Sequence, residues 1–150
     1  MASWLQSLTP KRVVTVALAP GFLALGIDAA ISHHMLGEPS APLQYVPVVY
    51  SAAAMLVLLA VAVPRLSEAL FAWSLRIVGG LGVLTGLGGT WLHLAVVLDT
   101  FKRNEDERTR ELFDQILSTA PPVFAPAAFA GVGALLIVLA SPRLHMRVKL

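Results

Sequence analysis

Four apolar runs govern what this chain can become: residues 13–33, 45–63, 77–99 and 122–140, each 19 to 23 residues long. About 20 apolar residues suffice for a helix to cross the hydrocarbon core of a bilayer. Inside lipid every backbone N–H and C=O must be satisfied within the protein, so only helices and closed barrels span it. Runs this long, without strict alternation of polar and apolar residues, specify helices. The expected fold is an all-α membrane protein: a four-transmembrane-helix bundle with short loops, forming a single domain over residues 1–150. The charged fraction agrees, since 13% of residues are charged where a soluble domain carries about 25%.

The ends of the runs are punctuated. Pro64 and Pro142 follow the second and fourth, where a helix should stop. The first twelve residues do not read as a signal peptide, because Lys11 and Arg12 come after Trp4, Leu5 and Leu8 rather than before the apolar core. Trp4 instead reads as an interfacial anchor. Residues 35–44 form a short loop held extended by Pro39 and Pro42. Residues 64–75 place Leu66, Leu70 and Trp73 at helical spacing, which predicts a half-buried interfacial helix. Residues 100–120 are the only substantial extramembrane segment. Glu107 with Glu111, and Leu112, Phe113, Ile116 and Leu117, predict an amphipathic outer connector.

Charge sets the topology. With four spans both termini share one side, together with Lys11, Arg12, Arg65, Arg76, Arg143, Arg147 and Lys149. Only Lys102, Arg103, Arg108 and Arg110 fall on the other side. Seven cations against four put the termini in the cytoplasm of a multi-pass protein of the cell membrane. No basic stripe with interleaved aromatics is present, so nucleic acid is not an expected partner. There is no Cys, which excludes disulfides and thiolate metal sites.

The third run carries a second pattern. Gly79, Gly82, Gly86 and Gly89 fall on one helical face, and His93 lies four residues further along it. On the first run Ala17, Gly21, Ala24 and Asp28 form a similar face. Both helices run from inside to outside, and Asp28 and His93 each sit about 9 Å below the outer surface. Small-residue faces let helix backbones approach closely in lipid. The two faces are therefore expected to meet, with Asp28 and His93 within reach of each other.

Ionisable residues inside a membrane are functional candidates by default. More polar groups gather at the outer level: His33, His34 and Met35 close the first run, and Tyr45 and Tyr50 enter the second. Asp99 ends the third run, and Pro121, Pro122 and Pro126 loosen the start of the fourth. The inner half offers nothing comparable. The plainest role for Asp28 and His93 is a clasp that fixes helix register, worth about 0.6–2 kcal/mol.

Three further roles stay open. In the first, His93 with His33 or His34 holds a transition metal, with Met35 as a soft ligand favouring Cu(I). The same histidines could ligate haem b, the glycine face of Gly82, Gly86 and Gly89 leaving room for the flat macrocycle. In the second, Asp28 and His93 anchor a lipophilic molecule such as a quinone or lipid, walled by Tyr50, Trp91 and Phe124. In the third, the chain is an accessory or assembly subunit of a larger membrane complex, or a homo-oligomer. Its small-residue faces, including Ala127 with Gly131, would then dock other helices. No Ser, His and Asp set has catalytic spacing, so binding is expected and no catalytic residue is assigned.

Overall fold

A computed structural model describes residues 8–35, 42–103 and 126–142, the side chains of residues 34, 35, 100, 101 and 103 excepted. All regular structure among them is helical. Helix α1 spans Pro10–Met35, a 3-10 turn covers Pro42–Tyr45, α2 spans Val46–Val61, α3 spans Glu68–Arg103 and α4 spans Ala127–Leu139. Three of these segments, α1, the turn with α2, and α3, are long and apolar enough to cross a membrane, while α4 is a shorter apolar helix. The connector expected over residues 100–120 begins as the last turn of α3 and otherwise lies outside the described residues, as does the start of the fourth run.

The separate interfacial helix expected over residues 64–75 does not form. Ser67 caps a new helix, its Oγ accepting the Leu70 N–H at 3.3 Å, and Glu68 stands in the first turn. Nothing after that breaks the ladder, so α3 runs unbroken for 36 residues, about 54 Å. Its inward residues are Phe71 and Leu75, both fully buried, whereas Leu70 and Trp73 face outward.

Buried positions repeat in steps of three and four. On α1 they are Arg12, Thr15, Ala19, Phe22 and Gly26; on α2, Ser51, Ala54, Leu58 and Val61. On α3 they include Phe71, Leu75, Val78, Gly82 and Gly86, and on α4 Phe129, Gly133 and Leu136. This is the seam of a helical bundle, in which each helix turns one narrow stripe inward. The exposed face of α3, with Leu84, Leu87 and Trp91, is correspondingly apolar.

Packing is pairwise: α1 lies against α2, α3 against α4, and α2 joins the two pairs. The glycine stripe of α3 does not meet α1 as expected. A Cβ at Gly86 would come 2.7 Å from the Ala130 Cβ, and one at Gly89 2.8 Å from the Pro126 Cβ. The stripe is therefore the groove that seats α4. Ala17, Gly21, Ala24 and Asp28 are all exposed, and a Cβ at Gly21 would meet no other element within 4 Å. The reason is angular. Each lies two residues beyond the seam positions Thr15, Ala19, Phe22 and Gly26, which is about 200° around the helix.

Tyr50 stands where the two pairs join. Its hydroxyl donates to the Val78 carbonyl at 2.8 Å, and its ring packs on Phe22 at 5.7 Å and Phe129 at 6.0 Å between centroids. The hydroxyl occupies the space that Gly82 leaves, since a Cβ there would lie 2.6 Å from it.

Candidate functional site

Two polar layers occupy opposite ends of the seam, here named inner for the end where α1 begins and outer for the end where it stops, without regard to the sides of a membrane. The helix directions fix their levels. Arg12 at the start of α1 reaches Glu68 at the start of α3, and further along the same two helices His33 meets His93. Arg12 and His33 are 21 residues apart on one helix, about 31 Å. That matches the hydrocarbon thickness of a bilayer, about 30 Å.

The inner layer is dense, contrary to the expectation that the inner half holds nothing comparable. Arg12 is 2% exposed. Its Nη2 donates to Glu68 Oε1 at 2.7 Å and to the Leu66 carbonyl at 2.7 Å. Its Nη1 donates to the carbonyls of Val61 and Val63, and its guanidinium carbon lies 4.7 Å from the Phe71 ring centroid. The last carbonyls of a helix lack intrahelical partners and carry the negative end of its dipole. Arg12 supplies that missing cation for α2. Lys11 does the same for α4, donating from Nζ to the Ser141 carbonyl at 2.7 Å. The first turn of α1 thus fastens the ends of two other helices, and its polar groups are consumed in doing so. Sequence reasoning read Arg12 only as a topology signal. Its place in the stripe Arg12, Thr15, Ala19, Phe22, Gly26 was the signal that it points inward.

The outer layer is sparser. The His33 and His93 rings lie 6.2 Å apart between centroids, with planes at 85°, and both residues are half-buried. Each continues its seam: His33 lies seven residues beyond Gly26, and His93 seven beyond Gly86. Gln44 belongs to the same level. Gly26 packs on Ser51 across antiparallel α1 and α2, so seven residues outward along both chains pairs His33 with Gln44 in height. The Gln44 Oε1 is buried with no hydrogen-bond partner. The Ser51 Oγ is also buried and unpartnered, but the Gly26 contact fills its surroundings.

Of the residues singled out in the sequence, His33 and His93 are brought together. Asp28 is not brought to His93; it stands exposed on the opposite side of α1. Tyr50 is engaged in the core, and Trp91 is 67% exposed on the outside of α3. His34 and Met35 complete the last turn of α1 with side chains outside the described ones, and Phe124 lies outside the described residues. The glycine face proposed as room for a macrocycle is filled by α4. Among the described residues no group of three His, Asp or Glu side chains gathers in metal-binding proximity. The outer layer offers two imidazoles and one spare amide oxygen.

Comparison of the chain with protein-family models, with curated proteins and with solved structures finds no match.

Proposed function

We propose that this chain is a four-span protein of the cell membrane, with both termini in the cytoplasm, that binds a ligand at its outer end between α1 and α3. The observation that carries this reading is the edge-to-face meeting of the His33 and His93 rings, 6.2 Å apart between centroids. Imidazoles are metal ligands, and a bundle core is where helical proteins build such sites from facing helices. The three long apolar helices, the fourth apolar run and the seven-to-four distribution of cations support the topology.

The ligand class follows from the space. A haem along the glycine face of α3 competes with α4 for the same groove. A quinone walled by Tyr50 and Trp91 finds the first engaged with Val78 and the second facing outward. A metal ion at the two histidines needs neither. A second reading, an accessory subunit of a larger complex, draws on Asp28, an exposed carboxyl on a helix long enough to span lipid. Such a group is expensive there unless a partner helix meets it.

The test is metal content together with visible spectra, oxidised and dithionite-reduced, for the purified protein and its His93→Ala variant. Stoichiometric metal in the parent, lost in a variant that elutes identically, is the expected result. Two metal-free, colourless samples overturn the metal and haem readings and turn the question to a lipid ligand or to the subunit reading.

A further inference from the structure

The outward face of α3 carries its own scale. Trp73 and Trp91 are 18 residues apart, about five whole turns, so both side chains leave the helix in the same direction, about 27 Å apart. Both stand on the surface, 60% and 67% exposed. Between them the exposed residues Ile77, Leu81, Leu84 and Leu87 are all apolar, and Arg76 is the one exposed cation. We propose that this face lies directly against lipid, with Trp73 and Trp91 at the two boundaries between hydrocarbon and headgroups. Arg76 then holds the phosphate of an anionic phospholipid beside Trp73. The inference rests on the membrane-spanning reading above.

Arg76 marks the inner boundary. Its backbone stands three residues beyond Trp73, about 4.5 Å further into the span. Its guanidinium carbon nevertheless lies 5.4 Å from the Trp73 ring centroid. Side chains on a helix lean toward its N-terminus, and long basic ones near a helix end carry their charge back to the headgroups. The charge is thus returned to the level of the indole, whose face holds it. Among the described residues no carboxylate pairs with it. Its planar fork is therefore open to a phosphate, the anion whose geometry it fits. Glu68 agrees with this level: its exposed carboxylate lies five residues before Trp73, about 7.5 Å outside the boundary and in water.

Trp91 marks the other boundary, since tryptophans collect at both membrane interfaces. A separation of about 27 Å falls within the hydrocarbon thicknesses of natural membranes, about 27–33 Å. The span from Arg12 to His33 on α1, about 31 Å, is an independent scale that agrees. Residues 92–103 of α3 then stand among the headgroups and beyond them, and the contact of His33 with His93 lies at the boundary itself.

The chain holds three tryptophans, so Trp4→Phe with Trp91→Phe leaves Trp73 alone, and Trp4→Phe with Trp73→Phe leaves Trp91 alone. Each protein is reconstituted into phosphatidylcholine vesicles brominated near the headgroup, in mid-chain or near the chain end, and its fluorescence is measured. Expected is strongest quenching of both tryptophans by bromine near the headgroup and weakest by bromine near the chain end. Brominated phosphatidylglycerol, added as a minor component, should quench Trp73 as though enriched about fivefold over brominated phosphatidylcholine, and Arg76→Gln should abolish that preference. Strongest quenching at the chain end overturns the placement and leaves the membrane reading standing. So does protein that floats with the vesicles but is quenched by no lipid, as a second copy covering the face would cause. Equal quenching of Trp73 by the two lipids, or a preference kept in Arg76→Gln, overturns the phosphate contact. Protein that does not float with the vesicles overturns the membrane reading as well.

Discussion

The two ends of this bundle are built from similar materials to opposite effect. At the inner end a single guanidinium, 2% exposed, is held by three carbonyls and a carboxylate and lies over an aromatic ring. At the outer end two half-buried imidazoles meet edge to face, and the buried Gln44 Oε1 has no hydrogen-bond partner. A buried polar group is stabilising when its bonds are complete and costly when they are not. The inner layer therefore reads as a fastening. The outer layer is joined by a ring contact and leaves one buried acceptor unmatched.

The contrast is sharpest where it is easiest to break. Arg12→Ala empties the place of a large buried side chain and leaves three carbonyls without their donor, while Glu68, 69% exposed, keeps its solvent; a loss of about 2–5 kcal/mol is expected, the range for truncating a large buried side chain. Denaturant unfolding in detergent measures it. Arg12→Lys should recover only part, because an ammonium cannot reproduce the planar fork that spans Glu68 and three carbonyls. A next, smaller effect belongs to the middle of the bundle. Gly86→Val places atoms where Ala130 and Pro126 already sit, and overpacking of this kind costs about 1–3 kcal/mol. Cysteine cross-linking between α3 and α4 should report the loosened contact in the same variant. The smallest effect belongs to the outer end: His33→Ala and His93→Ala, without ligand, should each shift stability by less than about 1 kcal/mol. An outer loss as large as the inner one would show that the histidines are a fastening too, and the distinction between the ends would disappear.

The architecture was largely legible because span length and hydropathy are properties of single segments. Which helix faces which was not. The stripe Gly79, Gly82, Gly86 and Gly89 announces that something packs closely, but small residues carry no label for their partner. The face on α4 that fits it, Pro126, Ala130 and Gly133, lies beside the Ala127 and Gly131 pair that smallness alone picked out. A Cβ at Gly131 would meet no other element within 4 Å. On α1 the same emphasis on small residues selected the face of Gly21 and Asp28, about 200° from the true seam. Periodicity of buried positions was the better guide, since it contains Arg12, Phe22, Gly26 and His33 together. His93 was correctly placed on the inward face, and its pairing with His33 was among the combinations considered. The inner network was missed because a cation at a membrane edge has an ordinary explanation in topology.

The bond from Lys11 to Ser141 joins residues 130 positions apart, and it gives the chain a sense of time. While the protein is being made, the first helix emerges with its ammonium group in place long before the carbonyl it will hold exists. At about 5–20 residues per second, that interval is on the order of ten seconds. For that period α1 and α2 can pair through Gly26 and Ser51, and Arg12 can close on the turn before α3. When α4 is seated in its groove on α3, the Ser141 carbonyl stands within reach of Lys11. The earliest and latest of the described helices are thereby tied at one end of the bundle, whatever the order in which they assemble.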